Sequence, residues 1–391
     1  MKYLLSIYIL LTSTRMITTV IHELGHAVAG LFLLDGNLQV YIGSFGDPKK
    51  GLHFRMGRLT FHFKYSLFLW NRGLVVPDEI EDSFIKNYLF TLAGPLASFL
   101  IAIISLYLLI NVEMNLFFWW GALFLIVSSL IDAITNLIPN PNYIILHDGR
   151  LTFNDGQTLR LLVRYKAVYK DLLELQKLYE TGKIKEGIEA FEKLYAETQN
   201  GDVLRMGISF YLQEHNHEKA RSLSEELIKK SAMSSDDLCN YAISLAGCGF
   251  RKEALGAYYK SLEINPGNFY ALNNRGYTYI LMRKYKDAID DFDRAIKLYP
   301  RFAYAYNNRG LAKIKLGFHE EGLKDIYKSR ELEPENSYAF KNLGIYHKDG
   351  GRLKEALENF YKARDLDNST HEIDDLIRET EVALKKGNEN R

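Results

Sequence analysis

Three apolar runs in the first 140 residues constrain the fold more than any other feature of this sequence. They lie within Tyr3–Leu34, at about Tyr88–Ile110 and at about Leu116–Ile138. Each is long enough to cross roughly 30 Å of bilayer hydrocarbon as a helix. From about residue 160 the chain is instead rich in Lys, Glu, Asp and Tyr. The sequence therefore predicts a mainly α protein, in which a polytopic domain of three membrane spans precedes a soluble domain.

The charges in the loops predict how the spans are oriented. The loop between spans one and two is basic, with Lys49, Lys50, Arg55, Arg58, Lys64, Arg72 and Lys86. The loop Asn111–Asn115 between spans two and three carries no Lys or Arg. Because basic loops stay in the cytosol, we expect the N-terminus outside and the C-terminal half in the cytosol, with the bacterial cytoplasmic membrane as the location. Cys239 and Cys248 fit a reducing compartment.

The first apolar run contains His22-Glu23-Leu24-Gly25-His26. On a helix, the H-E-x-x-H spacing puts both histidines on one face, where they can bind one Zn²⁺, and Glu23 lies beside them as a general base. The alternative is that these polar groups simply pack against each other in a helical bundle. Ionisable groups at bilayer depth cost several kcal/mol each, which favours a functional interpretation.

A catalytic zinc site needs a third protein ligand in addition to the two histidines. Two carboxylates are candidates. Asp132 lies within the third apolar run, where it is either a ligand or a group bonded to nearby polar side chains. Asp148 follows the stretch Asn136–Pro141, whose prolines interrupt helix geometry. The residues alone leave both candidates open.

At this point residues 1–165 resemble the site-2 protease family of intramembrane metalloproteases. That family combines H-E-x-x-H on one transmembrane helix with N-x-x-P and then D-G near the end of a later helix. The matching residues are Asn136, Pro139, Asp148 and Gly149, with a further match at Ala93-Gly94-Pro95. The resemblance implies that His22, His26 and Asp148 bind Zn²⁺, that Glu23 is the base, and that the substrates are single-pass or multi-pass membrane proteins cut in regulated intramembrane proteolysis.

Two details of this resemblance matter for the site. Asn136 and Asp148 are farther apart than in the compact form of the family motif, and His147 stands where a leucine is usual. Asp132 therefore remains the alternative third ligand. The Asn136 amide is expected to help stabilise the oxyanion formed during peptide hydrolysis.

The first loop predicts a β-hairpin. Leu52–Met56 and Leu59–Tyr65 alternate apolar and polar residues around a turn near Gly57. The resemblance implies that such a segment dips toward the membrane and holds the substrate as an added strand. The alternative is a hairpin that lies on the bilayer without binding substrate.

The C-terminal half repeats with a period of 34 residues, shown by Pro266, Pro300 and Pro334 and by Gly276, Gly310 and Gly344. It resembles the tetratricopeptide repeat, an α-solenoid of helix pairs. Three copies from about Phe269 to Asp367 match well, the stretch from Ala167 to Asn265 holds two or three weaker copies, and Thr370–Lys386 is predicted to cap the array. The predicted domains are a membrane-embedded metalloprotease domain at 1–155, a linker at 156–166 and a repeat domain at 167–388.

Such arrays bind peptides or protein partners on a concave face, and Asn274, Asn308 and Asn342 recur at one position there. Recurrence through duplication alone is the alternative. The chain has no basic tract of the kind that binds nucleic acid. Two other functions compete with the protease: a catalytically silent membrane scaffold that acts through its repeats, and a zinc transporter or sensor. Glu23 favours the protease, because a silent scaffold has no use for it.

Overall fold

The computed structural model describes residues 2–47, 49, 51–78, 81–147 and 150–389. The chain divides into two compact units, Met1–Lys177 and Leu178–Arg391. The first, which we call the helical-bundle unit, contains the H-E-x-x-H motif, and the second, the repeat unit, contains the 34-residue periodicity. Each unit is described by itself.

Three long helices form the bundle: α1 (Lys2–Leu33), α2 (Phe84–Asn111) and α3 (Leu116–Leu137). The predicted spans are confirmed as helices long and apolar enough to cross a membrane, over Ile7–Leu33, Phe84–Asn111 and Leu116–Leu137. The Ser83 and Asn115 side chains cap the N-termini of α2 and α3 by accepting hydrogen bonds from backbone N–H groups.

Side-chain contacts fix the directions of the three helices. Along α1, His22 meets Ser98 of α2 and His26 meets Phe90, so these two helices are antiparallel. Thr18 meets Ser128 and His22 meets Asp132, so α1 and α3 are parallel. The C-terminus of α1, the N-terminus of α2 and the C-terminus of α3 therefore lie at the same end of the bundle. The motif lies toward this end, with His26 seven residues before the last residue of α1.

A four-stranded sheet connects α1 to α2. Its strands are β1 (Leu38–Ile42), β2 (Gly51–Met56), β3 (Leu59–Lys64) and β4 (Gly73–Pro77), in the order β2-β3-β1-β4. The predicted hairpin is confirmed as β2 and β3, joined through Gly57 at φ +61°. Strand β1 runs parallel to β3 and antiparallel to β4, which is an edge of the sheet. The prediction contained neither β1 nor β4.

The sheet is fastened to α1 by an apolar cluster. Leu38, Val40 and Ile42 alternate along β1 on one face and are almost fully buried, together with Ala27 and Leu34. This alternation is the pattern of a strand with one covered face. Because β1 is anchored in this way, the neighbouring edge strand β4 has a fixed position relative to the motif.

After α3 the chain forms a short ladder, β5 (Ile144–Ile145) with β6 (Leu151–Thr152), and then helix α4 (Asp155–Tyr165). Helix α4 packs against α2 and α3. The segment 156–166, predicted as a linker, is thus almost entirely helical and part of the bundle unit. Helix α5 (Tyr169–Glu180) crosses the division between the two units.

The repeat unit is an array of antiparallel helix pairs, which confirms the predicted solenoid. Its helices are α6 (Ile184–Thr198), α7 (Gly201–Gln213), α8 (His217–Lys230), α9 (Ser235–Gly247), α10 (Arg251–Ile264), α11 (Phe269–Leu281), α12 (Tyr285–Leu298), α13 (Ala303–Lys315), α14 (His319–Leu332), α15 (Ser337–Asp349), α16 (Leu353–Leu366) and α17 (Ile373–Glu389). As predicted, a final helix caps the array: Ile373 and Ile377 of α17 pack on Phe360.

The 34-residue period has a packing cause. A Cβ on Gly276 would lie 2.7 Å from the ring of Phe292, and one on Gly344 would lie 2.4 Å from the ring of Phe360. Both phenylalanines are fully buried. Glycine in the first helix of these two pairs therefore makes room for the aromatic ring of the second, and in the pair between them Gly310 makes room for Ile326.

Candidate metal centre

Three ligand atoms converge at the end of the bundle where the sheet lies. The Nε2 atoms of His22 and His26 are 3.2 Å apart. One carboxylate oxygen of Asp155 lies 2.9 Å from Nε2 of His22 and 3.4 Å from Nε2 of His26. Among the described residues, these three form the one group of at least three His, Cys, Asp or Glu side chains able to hold a metal ion.

The other ring nitrogen of each histidine has its own acceptor. Nδ1 of His22 lies 2.8 Å from Oδ2 of Asp132, and Nδ1 of His26 lies 2.8 Å from the backbone oxygen of Phe90. Since an oxygen acceptor needs a proton on the facing nitrogen, Nδ1–H is favoured on both rings. Nε2 of each ring is the atom that faces Asp155, and in the neutral Nδ1–H tautomer its lone pair is available to a metal ion.

A glycine makes room for the histidine pair. A Cβ on Gly94 of α2 would lie 2.2 Å from Nε2 of His26 and 2.6 Å from Nε2 of His22. Gly25 has the same function between the helices, since a Cβ there would lie 2.6 Å from both the carbonyl oxygen of Ala93 and the Cβ of Ala97. The backbone of α2 can therefore approach the motif directly.

Asp155 is positioned by its neighbours in sequence. The Asn154 side chain caps α4 by accepting a hydrogen bond from the N–H of Gln157, and its Nδ2 donates to the carbonyl of Ile138 at 2.8 Å, just past the end of α3. A Cβ on Gly156 would lie 2.3 Å from the carbonyl oxygen of Leu137. Asn154 and Gly156 thus hold the start of α4 against the end of α3, with Asp155 between them.

The charge of Asp155 follows from its surroundings. Burial by itself would raise the pKa of this carboxyl, but the adjacent imidazoles of His26 and His22, in their protonated form, outweigh it and hold the pKa well below its usual range. The group is therefore a carboxylate at neutral pH, which is the form that binds a cation.

Asp132 occupies the far side of the His22 ring from Asp155. Its Oδ2 accepts a hydrogen bond from Ser98 at 2.6 Å in addition to the one from Nδ1 of His22, and its Oδ1 lies 3.4 Å from a guanidinium nitrogen of Arg15. The alternative third ligand of the sequence analysis thus contacts His22 through the nitrogen that points away from the ligand cluster. In this arrangement Asp132 is placed to orient the His22 ring.

Glu23 lies beside the cluster and under the sheet edge. It is buried, and a Cβ on Gly73 at the start of β4 would lie 2.4 Å from its Cγ and Oε1. A cavity of about 250 Å³ opens at this point. Its lining includes His22, Glu23 and His26 of the motif together with Arg15, Asp132, Asn136 and Asp155. Residues 71–75, which lead into and begin the edge strand β4, also line it. Glu23 therefore lies at the wall of this cavity, next to the first residues of β4.

The site residues predicted from the sequence of the bundle unit have different outcomes. His22, Glu23, His26 and Asn136 are brought together around the cavity, although Asn136 lies outside the three-ligand cluster. Asp148, the predicted third ligand, lies outside the described residues. Asp155 was missed. Its signal was a second Asp-Gly pair, Asp155-Gly156, preceded by a helix-capping asparagine.

The recurrent asparagines of the repeat unit have different surroundings. Asn274 and Asn308 line a cavity, and Nδ2 of Asn308 donates to Oδ1 of Asn273 at 3.1 Å. Asn342 is buried, and its Nδ2 donates to the backbone oxygen of Asn307 at 3.4 Å. Asn308 and Asn342 therefore each join one repeat to the preceding one, and Asn274 and Asn308 also line the cavity.

Comparison with known proteins identifies the class of the repeat unit. Residues 269–302 match the tetratricopeptide repeat family model, and they correspond to helices α11 and α12. The repeat unit is a tetratricopeptide-repeat domain, a class whose members bind peptides and proteins. No curated protein matches the chain.

Solved structures of repeat proteins are similar to about half of the chain. A thermophilic tetratricopeptide-repeat protein of Thermus thermophilus is 19% identical, and the match covers 47% of this chain and 98% of that one, with a TM-score of 0.41. MamA from Desulfovibrio magneticus, from residue 41 to its end, is 24% identical over 44% of this chain and 97% of that one, with a TM-score of 0.35.

Proposed function

We propose that this protein is a membrane-embedded zinc metalloendopeptidase of the site-2 protease type, which cuts membrane proteins within or near their transmembrane segments. One observation carries the proposal. Two histidine Nε2 atoms and the Asp155 carboxylate converge beside Glu23, inside a bundle of helices long and apolar enough to cross a membrane.

The donor set fits zinc. Two imidazoles and one carboxylate are a known ligand combination of catalytic zinc, which keeps a fourth position for water. The missing side chain at Gly94 leaves space directly beside both Nε2 atoms. A zinc ion held by His22, His26 and Asp155 would supply Lewis acidity toward a water molecule and a peptide carbonyl.

Glu23 is the proton-transfer group of the proposed reaction. It follows His22 on the same helix and reaches the cavity, so it can take a proton from the attacking water and return it to the departing amine. Asn136 lines the same cavity, where its amide can donate a hydrogen bond to the oxyanion. Asp132 holds the proton on Nδ1 of His22 and so keeps Nε2 free to bind the metal.

The edge strand β4 is the proposed substrate-binding element. A transmembrane helix hides its backbone in internal hydrogen bonds and must be unwound before a carbonyl can reach the metal. Strand β4 pairs with β1 on one side only and begins beside Glu23. An unwound substrate segment can add to its free edge as a fifth strand, with backbone hydrogen bonds replacing those lost from the helix.

The proposal extends to location and partners. The basic first loop orients the protein with its N-terminus outside and the repeat unit in the cytosol, and the bacterial cytoplasmic membrane fits this arrangement. The repeat unit then recruits the substrate or a regulator from the cytosol by binding a peptide or a protein partner.

The direct test compares membrane proteomes of cells that carry the wild-type protein, Glu23→Ala or Glu113→Ala. Glu113 lies in the exposed loop between α2 and α3, so its change is a matched control. We expect at least one membrane protein to accumulate at full length in Glu23→Ala and to be cut in the other two strains. If no membrane protein changes length while the purified protein still binds zinc, the protease proposal fails and a silent repeat-bearing scaffold replaces it.

A further inference from the structure

The hairpin of β2 and β3 carries two histidines on one face. His53 and His62 are direct cross-strand partners in the register of the two strands. Their Nδ1 atoms lie 2.8 Å apart, and their ring centres are 4.9 Å apart. Neither residue belongs to the three-ligand cluster of the metal centre. The sheet therefore brings two imidazole nitrogens together at a second place, through strand pairing rather than through helix spacing.

Neighbouring side chains fix the orientation of the His62 ring. Gln39 of β1 donates from Nε2 to Oδ1 of Asp78 at 3.1 Å, so its amide oxygen is the atom that faces His62. Nε2 of His62 lies 3.0 Å from that oxygen and donates to it. The Tyr41 ring stacks on the imidazole, with 4.5 Å between the ring centres and 12° between the planes. The neutral His62 ring therefore has its proton on Nε2, and the lone pair of Nδ1 faces His53.

This arrangement is typical of histidines that bind metals. A ligand histidine almost always donates its other ring N–H to an oxygen, which sets the tautomer and aims the free nitrogen at the metal. Burial lowers the pKa of His62, and the neighbouring His53 lowers it further, so the ring is neutral at pH 7. His53 is exposed and can take either tautomer, so its Nδ1 can also supply a lone pair.

The distance between the two nitrogens indicates a coordination geometry. With metal–nitrogen bonds of about 2.0–2.1 Å, two nitrogens 2.8 Å apart subtend roughly 90° at a shared ion. The two Nε2 atoms of the metal centre are 3.2 Å apart, which gives roughly 100° and is close to the tetrahedral geometry of zinc. An angle near 90° is instead the angle between neighbouring ligands in a square plane, the geometry typical of Cu²⁺ and Ni²⁺ with nitrogen and oxygen ligands.

We infer that His53 and His62 form a second metal site, which binds Cu²⁺ or Ni²⁺ across the hairpin. Nδ1 of each ring supplies one ligand, and water completes the square plane. The ion ties the edge strand β2 to β3. A slip of β2 by one residue would turn His53 to the opposite face of the sheet, so the ion also holds the register of the hairpin. The inference does not depend on the proposed protease function, because the two metal sites share no ligand.

Hydrogen exchange followed by mass spectrometry tests the inference on the full chain in detergent micelles. The protein is first stripped of metal with a chelator, and Cu²⁺ and Ni²⁺ are then added in separate titrations. We expect at least one of the two ions to slow exchange of the amides in residues 51–64 at least about tenfold, because the cross-link opposes local opening of the hairpin. This readout is local to β2 and β3, so it separates the hairpin site from the metal centre.

Three variants locate the ion. His53→Gln and His62→Gln should each raise the metal concentration needed for slow exchange about 100-fold, because a single imidazole cannot chelate. Gln39→Ala should raise it about tenfold, since the His62 ring loses the acceptor that fixes its tautomer. His319→Gln is the matched control, because His319 is an exposed histidine of the repeat unit, and it should respond as the wild type does. Circular dichroism checks that every variant folds.

Electron paramagnetic resonance of the copper-loaded protein gives a second readout. The copper signal that is present in the wild type and absent in His53→Gln should be that of a tetragonal site with two nitrogen ligands. The inference is overturned if neither ion slows exchange in the hairpin or if His53→Gln responds like His319→Gln. It is also overturned if the copper signal lost in His53→Gln shows no nitrogen ligands, which would identify an adventitious ion only.

Discussion

Oδ2 of Asp155 lies 2.9 Å from Nε2 of His22, although 133 positions separate the two residues. This contact joins the first long helix to the helix that follows the third, and it closes the three-ligand cluster. It exists because α1 and α3 are parallel and end at the same side of the bundle, where Asn154 begins α4 against the end of α3. The candidate metal centre is thus a consequence of helix directions as much as of the motif.

The first prediction concerns the third ligand. Asp155→Asn should lower zinc affinity by more than about 100-fold. Loss of a group that only hydrogen-bonds to a ligand lowers metal affinity about 10- to 100-fold, and loss of a ligand itself should lower it more. Asp148→Asn should leave the affinity within a factor of about three. Competition with a zinc chelator of known affinity measures both variants. Loss of zinc from Asp148→Asn but not from Asp155→Asn would show that the sequence-predicted ligand is the correct one.

The second prediction assigns a positioning role to Asp132. Asp132→Asn should weaken zinc binding about 10- to 100-fold without abolishing it, since the acceptor that holds the proton on Nδ1 of His22 becomes weaker. Ser105→Ala is the control, because Ser105 is buried in α2 but does not line the cavity. Complete loss of zinc in Asp132→Asn, equal to that of Asp155→Asn, would instead make Asp132 a ligand.

The third prediction uses the close approach of α2 to the motif. Gly94→Ala places a methyl group 2.2 Å from Nε2 of His26, so it should remove zinc binding while the protein still inserts and folds. Gly121→Ala in α3 meets nothing within 4 Å and is the matched control. Zinc content after purification measures the difference. Equal zinc in the two variants would contradict the described packing.

Sequence patterns predicted the elements whose signals are local. Long apolar runs, the alternation around Gly57 and the 34-residue period each reflect one helix, one hairpin or one helix pair, and all were found. The motif also predicted correctly that His22 and His26 share a face, because i and i+4 spacing determines it.

The features that the sequence did not predict depend on packing between residues that are far apart in the chain. The alternation in β1 is local, but its parallel pairing with β3 joins segments that are distant in the chain, and the edge strand β4 pairs with β1. The sequence offers two Asp-Gly pairs after Pro139, and the packing of α4 against α3, which brings Asp155 to the histidines, is not visible in the sequence. Asp132 was recognised as unusual, but its contact with Nδ1 rather than Nε2 of His22 is a property of ring orientation.

The fourth prediction tests the repeat unit. Arg275 and Asp291 form a buried bidentate pair at 2.7 and 2.6 Å, and Arg309 and Asp325 repeat it one period later. Asp291→Ala leaves a buried guanidinium without its partner, which should lower the free energy of unfolding by about 3 kcal/mol. Hydrogen exchange in α11 and α12 should then be more than about 100-fold faster. Asp290→Ala, an exposed neighbour, should change exchange little. Equal exchange in both variants would show that the pair does not stabilise the array.

The central claim is that a zinc centre beside Glu23 hydrolyses peptide bonds of membrane proteins. Its most direct measurement compares the purified wild-type protein with Glu23→Gln in lipid nanodiscs, both assayed for zinc content and for cleavage of a membrane protein that accumulates in the Glu23→Ala strain. We predict one zinc per chain in both proteins, with cleavage by the wild type and at least about a 1000-fold slower reaction in Glu23→Gln, because proton transfer is lost. Equal cleavage by the two proteins, or no zinc in the wild type, would contradict the account.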